Sequence, residues 1–198
     1  MLAAEARIGQ ADHKSAMKEG KQMKIAYVTS ETRGKVDGLL SEIARQLQSD
    51  GRSLTGIVKD QSHTSQFENG CDMKVRVLPD GPTIQITQNL GKGSDACRLD
   101  PGAIANAVSC VENRAMDQFD LFVLNKFGPE EAAGRGFVSA IGEAIQGGVP
   151  VLVGVGKENT AAFETFSGGL AMGLRDDLAT LLSWCQTAMP TQPACSGQ

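Results

Sequence analysis

The chain has 198 residues, of which 41% are hydrophobic and 21% charged, and its formal net charge is −4 at pH 7. That length suits one sizeable core, and the composition excludes wholesale disorder. The mild acidity argues against general nucleic-acid affinity, which needs clustered Lys and Arg. No apolar run approaches the roughly 20 residues that cross a bilayer, and the N-terminus lacks the apolar stretch of a signal peptide. The expectation is a cytoplasmic protein with neither a nucleic-acid nor a membrane partner. Five cysteines at scattered positions, with no CxxC pair and with both histidines far from any such pair, fit neither a disulfide framework nor a zinc site.

Residues 1–22 lack sustained periodicity and read as a flexible leader, with Met23 offering a second start. The domain proper is expected over 23–187. It opens with Ile25-Ala26-Tyr27-Val28, a run suited to a buried strand. Val36, Leu39, Leu40, Ile43, Ala44 and Leu47 then recur at helical spacing, and Gly51 is placed to end that helix. Leu54 to Val58 is a second strand. Met73–Leu78 and Thr83–Gln88 flank Pro79-Asp80-Gly81-Pro82 and predict a hairpin. Asp100 before Pro101 marks a helix start, with Asp as the cap and Pro at the first helical position. Leu121 to Leu124 predicts a central strand, Phe137 to Ile145 a helix stopped by Gly147-Gly148, and Val149 to Val155 a further strand. Helices are expected near 159–167 and 175–187, and 188–198, with its two prolines, reads as a flexible tail. Strands alternating with helices imply an α/β fold with a mainly parallel sheet and the hairpin as an antiparallel insertion.

In such sheets ligands sit beyond the carboxyl ends of the strands. The first strand hands over to its helix through Thr29-Ser30-Glu31-Thr32-Arg33-Gly34-Lys35-Val36. A phosphate loop reads G-x-x-x-x-G-K-[ST]; this one reads T-x-x-x-x-G-K-V, with Gly34 and Lys35 in register between strand and helix. Thr29 replaces the first glycine, and Val36 replaces the hydroxyl that would hold Mg²⁺. Backbone N–H groups at a helix start favour an anion. The same residues also suit a polar turn in which Gly34 eases a bend.

The central strand ends in Asn125-Lys126, where a nucleoside triphosphatase carries an acid that positions Mg²⁺ and often a second that activates water. Asn125 keeps hydrogen-bonding capacity without the charge. Lys126 suits an anion, or equally a solvated strand end.

Residues 24 to about 185 resemble a bacterial family catalogued only as a domain of unknown function, whose members are often encoded near molybdate-transport genes. The resemblance rests on Val36-Asp37-x-Leu39-Leu40, Cys71-Asp72-Met73, Cys97-Arg98-Leu99-Asp100-Pro101-Gly102 and Leu124-Asn125-Lys126-Phe127-Gly128. That family resembles in turn the small nucleoside triphosphatases first known from thermophiles, which implies a three-layer P-loop-like fold. There the block matching Asn125 to Glu131 reads Asp-Glu-x-Gly-x-Met-Glu; Gly128 and Glu131 are retained here and both leading acids are lost. The family context adds Arg98 as a clamp for a tetrahedral oxyanion, and Asp72 as a cap for the turn before the hairpin.

The reading that follows is a non-hydrolysing nucleotide- or oxyanion-binding accessory or regulatory protein linked to molybdenum handling. Its ligand is a small anion such as a nucleotide or molybdate, and its binding residues are Thr29, Arg33, Gly34, Lys35, Val36, Arg98, Asn125 and Lys126. Lys35, Arg98 and Lys126 are expected to share one bound anion. The alternatives are a nucleoside triphosphatase with atypical metal ligation and a partner-binding domain with a vestigial pocket.

Overall fold

The computed structural model describes residues 24–66, 72–88 and 98–191; the expected leader, Cys71, Cys97 and residues 192–198 of the expected tail lie outside them. Strand β1 (Ile25–Val28) runs into the loop that ends at Gly34, whose φ of 77° is comfortable only without a Cβ. Helix α1 (Lys35–Ser49) follows and buries Leu40, Ile43, Ala44 and Leu47, one stripe at helical spacing. It ends at Asp50, with Gly51 left-handed just beyond. Strand β2 (Leu54–Lys59) leads to β3 (Lys74–Leu78) and β4 (Thr83–Gln85).

The expected second arm of the hairpin, Thr83–Gln88, divides. Only β4 pairs with β3; β5 (Thr87–Gln88) leaves to form a separate two-stranded ladder with β6 (Arg98–Leu99). Buried Thr87 accompanies the break: its Oγ1 accepts the N–H of half-buried Met73 at 2.8 Å, a side-chain bond in place of a ladder bond. Helix α2 (Pro101–Glu112) starts as expected, with the Asp100 carboxylate accepting the Gly102 and Ala103 N–H groups.

Strand β7 (Leu121–Phe127) extends three residues past the predicted end, so Asn125 and Lys126 lie within the strand. The short helix α3 (Pro129–Ala132) was not predicted. Helix α4 (Val138–Gly147) and β8 (Val151–Val155) match the periodicity, as do α5 (Thr160–Phe166) and α6 (Leu178–Ala188). Strand β9 (Met172–Leu174) is an edge strand the sequence did not announce. Ala188 and Met189, placed in the tail by the sequence, are buried, and the Ala188 carbonyl accepts from Lys24 Nζ at 2.7 Å.

The main sheet has seven strands in the order β4-β3-β2-β7-β8-β1-β9. Strands β2, β7, β8, β1 and β9 are parallel, and β3 and β4 are the antiparallel insertion. Alternate residues feed two faces. Leu121 and Val123 join Leu40, Ile43, Leu47, Leu181 and Cys185 under α1 and α6. Phe122 and Leu124 join Ala107, Val111, Ile141, Ala144 and Phe163 under α2, α4 and α5. Burial pushes the Cys185 thiol up to about 12, so it acts as a small hydrophobe. The chain leaves β1 for α1 on one face and β8 for α5 on the other, which opens a crevice at their carboxyl ends.

Candidate functional site

That crevice is a cleft of about 810 Å³. One wall is the β1–α1 loop; the others come from the carboxyl ends of β2, β7 and β8 and from the segment around His63 and Asp72. Ser30, Thr32, Arg33, Gly34 and Val36 line it from the loop, and Asn125 and Lys126 from β7. No side chain caps α1, so its first turn presents backbone N–H groups there.

The loop is held by charge and hydroxyl contacts. Ser30 Oγ accepts the Thr32 N–H at 3.1 Å and donates to Asp176 Oδ2 at 2.6 Å. Lys35 Nζ lies 2.9 Å from the same Asp176 oxygen. The Ser30 hydroxyl first, and Lys35 second, hold the Asp176 carboxyl below its usual range. Lys35 is thus engaged by the chain's own carboxylate. Glu31 at the loop tip pairs with Lys157 from the turn after β8. Thr29 Oγ1 is buried without a hydrogen-bond partner.

The start of α1 and the ends of β2 and β7 build a second constellation on the cleft wall. Val36 turns toward the sheet: a Cβ added at Gly154 would lie 2.9 Å from Val36 Cγ1 and run into the Asn125 carbonyl. Gly154 therefore lets β8, β7 and α1 approach this closely. Asn125 is buried, and both ends of its amide are used. Nδ2 donates to Asp37 Oδ1 at 3.1 Å, and Oδ1 accepts the Lys59 N–H at 3.0 Å. Lys59 Nζ closes the triangle on Asp37 Oδ2 at 3.3 Å.

Lys126 is exposed and pairs with Glu158 at 3.6 Å. The backbone N–H of Glu158 first, then Lys126, hold the Glu158 carboxyl below its usual range. Glu131, retained from the family block, is buried and structural: it accepts the Gly128 N–H at 2.9 Å and the Phe137 N–H at 3.2 Å.

The expected convergence of three cations is not built. Lys126 lines the cleft, Lys35 faces Asp176, and Arg98 lines a neighbouring groove with Pro101, Ile104 and Arg135. Arg98 is carried by the β5–β6 ladder, which stands apart from the main sheet.

Two features escaped the sequence reading. Lys59 sits at the end of β2, where only its position after an apolar strand could have flagged it. Asp72 is more than a turn cap. Its carboxylate accepts the Gln66 N–H at 2.9 Å and the Ser65 hydroxyl, and lies 2.9 Å from His63 Nε2. The Gln66 N–H first, then Ser65 and His63, bring its pKa to about 2. His63, Ser65 and Asp72 all line the cleft.

The sequence profile of a family described as a protein of unknown function, DUF2478, matches residues 25–184. The chain belongs to DUF2478. The match runs from β1 into α6, so every element that builds the cleft is DUF2478 sequence. A curated relative, the Molybdenum import ATP-binding protein ModC 2 of Bradyrhizobium diazoefficiens, is 32% identical over 163 residues. That alignment covers 81% of this chain but 18% of the relative, so the DUF2478 chain spans under a fifth of that protein's length. The solution structure of a human cancer-related nucleoside triphosphatase superposes with a TM-score of 0.55 at 15% identity, covering 83% of this chain and 96% of that one. The superposition shows that this DUF2478 chain shares the α/β fold of that nucleoside triphosphatase. Among the described residues, no helix is long and apolar enough to cross a membrane.

Proposed function

We propose that the chain binds a nucleotide or a related oxyanion in the cleft without hydrolysing it, as an accessory or regulatory component of molybdenum handling. The observation that carries this reading is the pairing of a retained loop with altered metal positions. Gly34 keeps the left-handed turn that opens α1 toward the cleft, while Val36 and Asn125 stand where a hydroxyl and an acid would hold the metal. In this reading the N–H groups of Arg33, Gly34 and Val36 meet the anion, that of Lys35 being held by the Thr32 carbonyl at 3.2 Å, and the Lys35 and Lys126 side chains add charge once their carboxylate partners yield. Thr29 and Arg33 shape and flank the loop. The names of the relatives, an ATP-binding protein of molybdenum import and a nucleoside triphosphatase, support a nucleotide as ligand and supply the molybdenum link.

The hydrolytic alternative has one observation in its favour, the His63–Asp72 pair on the cleft wall, which has the residue types of a general base and its orienting acid. A turnover assay separates the two. With ATP or GTP and Mg²⁺, the purified protein should show no phosphate release above that of a His63→Ala variant. Release that His63→Ala abolishes would establish the hydrolase instead.

A further inference from the structure

In P-loop enzymes a divalent cation, held by the hydroxyl after the loop lysine and by the strand acid, neutralises the bound phosphates. The donors that line the cleft do not fit that ion. Val36 has no oxygen to offer and faces Gly154. The Asn125 amide is committed at both ends, to Asp37 and to the Lys59 backbone. The remaining carboxylate at the start of α1, Asp37, already carries a positive partner, the Lys59 ammonium at 3.3 Å. A dication set against Asp37 would meet that ammonium at like-charge distance.

The other carboxylates lining the cleft are equally engaged. Asp60 accepts from Ser62, Asp72 from Ser65 and Gln66, and Glu131 from two backbone N–H groups. Glu130 pairs with Arg135 and Glu158 with Lys126. Among the described residues, no group of three or more His, Cys, Asp or Glu is placed to hold a metal ion.

We infer that the cleft takes its anion without a divalent metal, and that the Lys59 ammonium, fixed by Asp37 and by the Asn125-bound backbone of β2, is the resident cation of the site. This rests on the anion-binding reading and deepens it. Lys59 lines the cleft, its side chain is 34% exposed, and one of its three N–H donors is committed to Asp37, so the others remain for an oxyanion. A fixed ammonium is always present, whereas a Mg²⁺ site would tie affinity to the free metal concentration.

The test is isothermal titration of the full chain with ATP, and separately with molybdate, in EDTA and in excess Mg²⁺. The inference expects ATP or molybdate to bind with Kd values that agree within about twofold between the two conditions. Lys59→Met should weaken binding in EDTA by about tenfold, the loss of one charge-assisted hydrogen bond. Added Mg²⁺ should restore part of that loss, because Asp37 is then without its cation. Lys59→Arg should bind as the wild type does. Binding that requires Mg²⁺, or that Mg²⁺ tightens more than about tenfold, overturns the inference and leaves the anion-binding reading standing. Binding of neither probe in either condition overturns both. If Lys59→Met fails to fold, the wild-type comparison with and without Mg²⁺ decides alone.

Discussion

Two ion pairs flank the first turn of α1, and they are held in different ways. Toward β7, Asp37 and Lys59 are tied together by the buried amide of Asn125, which bridges three elements of the core. Toward β9, Lys35 and Asp176 meet in a half-exposed contact that the Ser30 hydroxyl shares. The first pair is part of the architecture, because losing Asp37 leaves the buried Asn125 amide without its acceptor. The second works as a latch, because both partners regain water when it opens. In the proposed reading, the loop admits an anion when Asp176 releases Lys35, beside the Lys59 ammonium that Asp37 holds.

The comparison breaks if the buried amide proves dispensable. Asn125→Ala leaves the Lys59 N–H unpaired and Asp37 short of a donor, and should cost about 2 kcal/mol in chemical denaturation. A loss near zero would mean that the triangle is not load-sharing. Asp72 offers a second check, on a carboxylate outside both pairs. Its pKa is depressed from 3.8 to about 2, so its stabilising contribution is complete above about pH 4 and is lost as pH falls through 2. The stability gap between wild type and Asp72→Asn should therefore be widest above pH 4 and close toward pH 2; a gap independent of pH would contradict the assignment. The smallest effect sharpens the latch. Asp176→Asn should leave the melting temperature unchanged and tighten anion binding by about two- to fivefold, the scale of one exposed ion pair. Weaker binding would make Asp176 part of the site rather than its competitor.

Much of this molecule was legible before its coordinates. The apolar runs at β1, β2, β7 and β8 and the stripe on α1 exposed the parallel sheet, because burial on both faces leaves continuous hydrophobic sequence. Asp100-Pro101 announced α2 through its cap chemistry. Strand β9 was not legible: Met-Gly-Leu at an exposed edge carries no alternation and is defined only by pairing with β1. The loop and the two altered positions, Val36 and Asn125, were legible as motif departures. Their consequences were not, since Asp37, Lys59 and Asn125 come from three elements, and Lys35 and Asp176 are far apart in sequence though paired in space. Arg98 misled for the same reason. Its neighbours in sequence suggested a ligand clamp, but the β5–β6 ladder carries it to another groove.

The central claim is that an anion binds at this loop and is not consumed. Titration calorimetry of the full chain with ATP in EDTA, followed by chromatography of the recovered nucleotide, addresses it directly. The account predicts saturable binding, weakened when Lys35 is replaced by Ala, with ATP recovered intact both there and after incubation with Mg²⁺. Saturable binding that Lys35→Ala leaves untouched, or ATP recovered as ADP, would contradict it.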